Sequence, residues 1–133
     1  RGISAYLTGA IEAAKALGYT ETLFGRKRYI PELKSDNKRL AAFGARVAMN
    51  SPIQGSAADI IKVAMIKADK ALEDAGLDAK LILQVHDELI IEASEKDAEA
   101  AADILRREME GAFIGPVKFV AETNIGKNWY DAK

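Results

Sequence analysis

The chain has 133 residues, of which 49% are hydrophobic and 29% are charged, and its formal net charge is −1. These fractions are typical of one globular domain and exclude a disordered or fibrous protein. The absence of cysteine excludes disulfides, thiolate metal sites and a thiol nucleophile, and it fits a reducing, cytoplasmic location. No apolar run reaches the roughly 20 residues of a membrane span, so no membrane partner is expected. Because the chain begins at Arg1 within a helical pattern, we expect a fragment of a longer protein.

The charged residues are segregated along the chain. Residues 26–46 hold seven basic and two acidic residues, a net charge of +5, whereas residues 87–110 hold three basic and nine acidic residues, a net charge of −6. This distribution favours a polyanion on one side of the domain and cations on the other. An ordinary solvated surface is the simpler alternative, because runs of charge are common on helix faces.

The first part of the sequence predicts a helix, a hairpin and a second helix. Apolar residues recur at helical spacing over residues 3–17, and Gly18 ends this helix. Residues 19–30 alternate around a Phe-Gly break, which predicts a β-hairpin. A loop then leads into a helix over about residues 39–49.

A third helix is predicted after a break at Pro52 and Gly55. It covers roughly residues 56–75 and ends at Gly76. Its sequence is apolar on nearly every side, which predicts a buried position. The residues expected in the core are Ile60, Val63, Ala64 and Met65.

The remaining sequence predicts two strands, a helix and a last strand. The two strands cover about residues 79–85 and 88–93, an amphipathic helix covers residues 95–113, and VKFVAET at residues 117–123 forms the final strand. The apolar side of the helix carries Ala98, Ala101, Leu105, Met109 and Ala112. The predicted class is α+β, with antiparallel hairpins and a C-terminal strand packed against several helices.

The two strands meet at His86, Asp87 and Glu88. On a regular strand adjacent side chains point to opposite faces, but at a turn both carboxylates can lean toward one edge. Such hard oxygen ligands suit Mg²⁺, which takes one or two protein carboxylates and leaves its other positions to water and substrate phosphates. Zinc is not favoured, because a single histidine without cysteine cannot supply its usual ligands. Taken alone, the three residues leave a plain polar turn open.

Four segments occur together in a fixed order and span the chain. They are GYTETLFGRKRYIPEL at 18–33, NSPIQGSAADIIKVAMI at 50–66, LILQVHDELIIE at 81–92 and GKNWYDAK at 126–133. This ordered set resembles the C-terminal end of family A DNA polymerases. The resemblance implies a DNA-directed DNA polymerase that transfers nucleotides from a dNTP to the 3′-hydroxyl of a primer-template.

The QVHDE segment is similar to the third polymerase motif of that family. The resemblance implies that Asp87 binds two catalytic Mg²⁺ ions together with an aspartate from a first motif, and that Glu88 is a secondary acid near the metals. It assigns His86 to the primer terminus, although a histidine satisfied by the backbone remains the alternative. Gln84 lies two residues earlier on the same strand face and could reach the same DNA strand.

Arg46, Asn50 and Gln54 are four residues apart, and the resemblance assigns them to the minor groove and primer-template. Hydrogen-bond donors there suit an enzyme that must grip any sequence, because A·T and T·A present similar acceptors in that groove. Helix caps are the alternative for Asn50 and Gln54. Phosphate contacts, or ordinary exposed charges, are expected of the basic residues Arg26, Lys27, Arg28, Lys34 and Lys38.

Two departures from the family pattern concern residues 41–46, where Ala41 and Ala45 replace the usual Arg and Glu and put the bracing of Arg46 in doubt. The first and second polymerase motifs have no counterpart, so the remaining polymerase domain is expected upstream and the isolated chain is expected to be inactive. We expect residues 1–133 to form one C-terminal palm and fingers fragment, with subdivisions at about 1–76 and 77–133. The alternatives are a sequence-independent DNA-binding module without catalysis and a purely structural helix-hairpin domain.

Overall fold

The computed structural model describes residues 2–133, which form three α-helices and two antiparallel hairpins. The elements in chain order are α1 (Gly2–Leu17), β1 (Tyr19–Glu21), β2 (Lys27–Tyr29), α2 (Lys38–Asp74), β3 (Ala79–Val85), β4 (Glu88–Ala93) and α3 (Ala98–Glu110). Short 3-10 segments at Pro31–Lys34 and Glu95–Asp97 precede α2 and α3. The predicted α+β class is confirmed. The chain divides into two compact units, of which the first ends at Asp59 and the second begins at Ile60.

In the first unit, α1 leads directly into the β1–β2 hairpin. The helix ends at Leu17 because Gly18 adopts a φ of +83°, a conformation that glycine accepts without strain, and its N–H donates to the Ala14 carbonyl at 2.8 Å. The strands pair in the predicted hairpin, with Tyr19 opposite Tyr29. A small apolar core forms beneath them from Ala14, Ile30, Leu33 and Ala48.

The predicted break at Pro52 and Gly55 is wrong, because α2 is one helix of 37 residues that contains Pro52. Proline has no N–H to donate within the helix, which normally kinks or ends it. Here two side-chain contacts support this turn, one within the helix and one from the β1–β2 hairpin. The Ser56 hydroxyl donates to the Pro52 carbonyl, and the Arg26 guanidinium donates to the Gly55 carbonyl at 3.2 Å. Tertiary contacts therefore override the local preference of proline.

In the second unit, the β3–β4 hairpin packs with α3 and the part of α2 after Asp59. Two clusters of buried residues lie there, one of Ala64, Leu89 and Ala112 and the other of Leu72, Ala101 and Ile104. Ala64 is buried as predicted, and Ile60, Val63 and Met65 are partly buried against its cluster. Ile66 of the same helix is 71% exposed, so the apolar character of the helix on nearly every side does not bury every side.

The predicted final strand at residues 117–123 is wrong, because this segment has no regular secondary structure. A strand needs a neighbouring strand to satisfy its backbone, and the sheets formed by residues 2–133 contain only β1 with β2 and β3 with β4. One backbone group is satisfied by a side chain, since the Ala121 N–H donates to Glu110 Oε1 at 3.2 Å. The predicted helix at 95–113 is confirmed over Ala98–Glu110, with a 3-10 turn before it.

No helix within residues 2–133 combines the length and the apolar character that crossing a membrane would require.

Candidate active-site hairpin and nucleic-acid interface

The turn between β3 and β4 consists of only two residues. Val85 pairs with Glu88, so His86 and Asp87 alone make the connection. His86 has a φ of +53°, the one positive value at a non-glycine position within residues 2–133. Two-residue hairpin turns require this left-handed conformation at their first loop residue, where glycine or asparagine is usual and histidine is among the tolerated residues. The histidine therefore occupies a mildly strained position that the strands enforce.

A side chain of β3 supports this turn. The Gln84 side-chain amide donates from Nε2 to the His86 carbonyl oxygen at 2.6 Å. The bond closes a short loop over the turn and restricts its backbone. Gln84 lies in β3 whereas His86 lies in the turn after it, so the predicted shared strand face is not observed, and the glutamine amide contacts the histidine backbone instead.

Asp87 and Glu88 are both exposed at the tip of the hairpin. The next residue, Leu89, is buried at 8% exposure and fixes the start of β4 in the apolar cluster. Two adjacent carboxylates provide the hard oxygen donors that Mg²⁺ prefers, and Mg²⁺ uses one or two protein carboxylates in substrate-phosphate sites. Residues 2–133 contain no group of three His, Cys, Asp or Glu side chains that could hold a metal ion. Asp87 and Glu88 could therefore supply at most part of the ligands of a Mg²⁺ ion.

A β-bulge in β3 precedes the turn. Leu81 pairs with Ile91, but Leu83 pairs with Ile90, so Ile82 is an extra residue in β3. A bulge shifts the alternation of side chains along its strand and re-aims those that follow. The sequence carried no signal for it, because Ile82 has the apolar character expected of any strand residue.

The three predicted minor-groove residues lie along α2. Arg46, Asn50 and Gln54 are exposed and occur four residues apart within one unbroken helix, so they share a face. The capping alternative for Asn50 and Gln54 is wrong, since both residues lie in the interior of the helix. Ala41 and Ala45 also lie in α2, on the N-terminal side of Arg46.

The basic residues of the β1–β2 hairpin contact α2 within the first unit. Arg26 Nε lies 2.8 Å from Asp59 Oδ1, and Arg28 Nη1 donates to the Ser51 hydroxyl at 3.1 Å. An open cavity of about 240 Å³ is lined by residues that include Arg26, Arg28 and Gln54. The structure therefore brings two predicted phosphate contacts together with a predicted minor-groove contact.

The other predicted phosphate contacts are two exposed lysines of the first unit and Lys27. Lys34 ends the 3-10 segment and Lys38 begins α2. Lys27 lies 4.6 Å from the centre of the Tyr19 ring, and its contact with Tyr19 raises the pKa of Lys27 above its ordinary value of 10.5. It also lies 3.6 Å from the Glu21 carboxylate. Lys27 is therefore engaged by its own hairpin.

Sequence reasoning missed Asp59, Ser51 and Ser56. All three are buried polar residues of α2, and each contacts the β1–β2 hairpin or its turn. A possible signal was the single acid, Asp59, in the otherwise uncharged stretch of residues 47–61.

A model of DNA polymerase family A matches residues 1–131. The chain belongs to this family. DNA polymerase I of Caldicellulosiruptor bescii is 48% identical over 131 residues, which make up 98% of this family A chain and 15% of the relative. DNA polymerase I of Bacillus subtilis (strain 168) is 47% identical over 133 residues, 100% of this chain and 15% of the relative. The chain thus spans about 15% of the length of these curated relatives.

A solved structure similar to this family A chain is the POL domain of Pol1 from M. smegmatis in complex with DNA primer-template and dNTP. The TM-score is 0.94 at 44% sequence identity, and the match covers 97% of this chain and 23% of that chain. This identity supports a shared family as well as a shared fold.

Proposed function

We propose that this chain forms the part of a family A polymerase that holds one metal-binding aspartate and the minor-groove contacts of the active site. The observation that carries the proposal is the exposed Asp87–Glu88 pair where the two-residue turn meets β4. The next residue, Leu89, is buried, and Gln84 donates a hydrogen bond to the turn. Polymer synthesis requires carboxylates held rigidly beside the reacting phosphate, and a short supported turn provides such rigidity.

The reaction is attack of a primer 3′-hydroxyl on the α-phosphorus of a dNTP, with pyrophosphate as the leaving group. Two Mg²⁺ ions, when bound, activate the hydroxyl and neutralise charge on the triphosphate. Asp87 would hold these ions through its carboxylate, and Glu88 would supply a second acid close by. His86 orients the primer end, in keeping with its place at the first position of the turn.

In the same proposal, α2 binds the duplex. Arg46, Asn50 and Gln54 offer donors along one exposed helix face, which suits the acceptors of the minor groove. Arg28 and Lys34 suit backbone phosphates, which position the duplex without specifying its sequence. Arg26 offers less to a phosphate, because its Nε and one terminal nitrogen already donate to Asp59 and Gly55.

Upstream sequence completes the site in this proposal. A single hairpin carboxylate cannot hold two Mg²⁺ ions at the separation of about 4 Å that two-metal catalysis uses. The family resemblance supplies the partner aspartate and a lysine-bearing fingers helix from motifs outside these 133 residues. The isolated chain should therefore extend no primer.

The deciding experiment is Asp87→Asn in a polymerase chain that carries this segment together with the upstream region. The substitution keeps the side-chain volume but removes the charge, so single-turnover incorporation should fall by about a thousandfold or more while duplex affinity and thermal stability stay near wild type. The matched control is Asp103→Asn, an exposed acid of α3 whose side chain pairs with Arg106. Near-normal turnover in Asp87→Asn would contradict the proposal.

A sequence-independent DNA-binding module is the second candidate, because the segment of residues 26–46 carries a net charge of +5. The same experiment separates the two functions. A binding module requires the chain to bind duplex DNA but does not require the carboxylate of Asp87.

A further inference from the structure

The β1–β2 turn is fastened to one turn of α2 by three polar contacts. Arg26 donates to the Asp59 carboxylate at 2.8 Å and to the Gly55 carbonyl at 3.2 Å. The Leu23 N–H, at the tip of the same hairpin, donates to the Ser56 hydroxyl at 2.9 Å. The Asp59 side chain is 10% exposed and the Arg26 side chain is 52% exposed, so the carboxylate is shielded from water while part of the guanidinium is solvated.

The hairpin and the helix approach closely at Gly55. A β-carbon built at Gly55 would lie 2.7 Å from Thr22 Cγ2 and 3.4 Å from an Arg26 terminal nitrogen. Both are side-chain atoms, and the first distance is shorter than real β-carbon contacts, so alanine at this position would require the Thr22 side chain to shift. Glycine therefore lets Thr22 and Arg26 pack directly against α2.

These contacts coincide with the weakest part of α2. Pro52 cannot donate to the Ala48 carbonyl, so this turn lacks one helical hydrogen bond. The Ser56 hydroxyl donates to the Pro52 carbonyl while accepting from Leu23, which links the proline turn to the hairpin. Gln54 is exposed in the middle of this turn, between Pro52 and Ser56.

We infer that Asp59 is a positioning residue for DNA binding. Asp59 holds Arg26, and Arg26 in turn holds the β1–β2 turn against α2. This contact supports the proline turn of α2 and so fixes the direction of the Gln54 side chain. This role rests on the proposed minor-groove function of Gln54. It gives Asp59 and Arg26 a function in DNA binding although neither residue contacts DNA in this scheme. Arg26 is then chiefly a brace, and Arg28 is the hairpin residue with more capacity for a phosphate.

Electrostatics alone predict the opposite effect for Asp59. Removing a negative charge from a DNA-binding surface, and releasing the guanidinium of Arg26, should tighten binding to a polyanion. A positioning role predicts weaker binding despite the gain in positive charge. The direction of the change therefore distinguishes the two roles.

The test compares wild type, Asp59→Asn, Gln54→Ala and the double variant in the complete polymerase chain. Primer-template affinity is measured at several salt concentrations together with thermal stability. We expect Asp59→Asn to weaken affinity by about fivefold, and Gln54→Ala to lose most of its own effect in the Asp59→Asn background, because coupled residues are not additive. The slope of log affinity against log salt should stay unchanged, since no phosphate contact is removed.

Asp74→Asn is the matched control. It removes another α2 carboxylate from an ion pair, with Lys70 at 3.2 Å, but this pair is exposed and distant in sequence from the proline turn. It should leave the effect of Gln54→Ala intact. If Asp59→Asn fails to fold, Arg26→Lys takes its place, because lysine keeps the charge but cannot reproduce the fork that contacts Asp59 and Gly55 together.

Each outcome has a defined meaning. Tighter binding by Asp59→Asn, or full additivity with Gln54→Ala, would overturn the positioning role. A Gln54→Ala variant that binds and extends normally would instead overturn the proposed minor-groove contact, and with it this inference. A salt slope that falls by about one in Arg26→Gln, which removes the charge, would identify Arg26 as a phosphate ligand and contradict its role as a brace.

Discussion

Gln84 and His86 are joined across the β3–β4 turn by a hydrogen bond of 2.6 Å from the glutamine side-chain amide to the histidine carbonyl. The bond restrains the two loop residues that precede Glu88, and hence the direction in which Asp87 is presented. The first prediction concerns this restraint.

Gln84→Glu should lower the single-turnover rate by about tenfold or more, because a carboxylate of the same size cannot donate to the His86 carbonyl and small misplacements near a reacting centre are costly. Gln84→Asn tests the same bond in a second way, because it keeps the amide but shortens the reach, so it should also lower the rate. Normal rates in both variants would show that the turn holds Asp87 without help from Gln84.

His86→Gly should be more stable than His86→Ala by about 1 kcal/mol, because the φ of +53° strains any residue with a β-carbon. Urea unfolding of both variants measures the difference. Primer extension should fall in both, since both lack the imidazole. Equal stability of the two variants would indicate that the turn relaxes around alanine, and extension at the wild-type rate would remove His86 from the primer site.

Arg28→Gln should weaken duplex affinity at every sequence and reduce the slope of log affinity against log salt by about one, as expected when one phosphate contact is lost. Binding to two unrelated duplexes at several salt concentrations gives the measurement. Lys70→Gln serves as the control, because it removes the charge of a lysine in α2 that forms an ion pair with Asp74. A loss confined to one duplex sequence would contradict a phosphate contact.

Asp97 gives a prediction for pH. The N–H of Asp78 donates to its carboxylate at 3.0 Å and holds the pKa of Asp97 below its ordinary value of 3.8, against the opposing effect of desolvation. A lowered folded pKa means that the stabilising contribution is present above the ordinary value and is lost as the pH falls through the folded value.

Asp97→Asn should therefore flatten the decline in the free energy of unfolding between about pH 5 and pH 2. Urea unfolding across that range tests it. Ser94→Ala should have a weaker effect, because it removes the hydroxyl that donates at 3.1 Å but leaves the Asp78 N–H in place. Identical pH profiles for wild type and Asp97→Asn would contradict the prediction.

Much of this fold is predictable because its elements carry local signals. Gly18 and the apolar spacing before it mark the end of α1, and the polar turn at His86 separates two apolar runs. Both features depend on residues close together in the sequence. Local reasoning therefore gives the helices and hairpins.

The errors arise where partners distant in sequence decide the structure. Pro52 is a sound predictor of a break, but Arg26 and Leu23, about 30 residues earlier, support the helix around it. The segment of residues 117–123 has strand-like composition, but composition cannot supply a neighbouring strand. Asp59 was missed for the same reason, because its partner Arg26 is 33 residues away.

The extra residue at Ile82 also affects how β3 meets other molecules. Within residues 2–133 the β3–β4 sheet has two strands, and a flat, apolar strand edge is a template for intermolecular pairing. Ile82 and Leu83 are 50% and 46% exposed, the kind of sequence that promotes such pairing. A bulge twists the strand and interrupts its regular row of backbone groups, which disfavours extension of the sheet by a second copy. The irregularity that precedes the turn is thus also expected to disfavour edge-to-edge pairing of the hairpin.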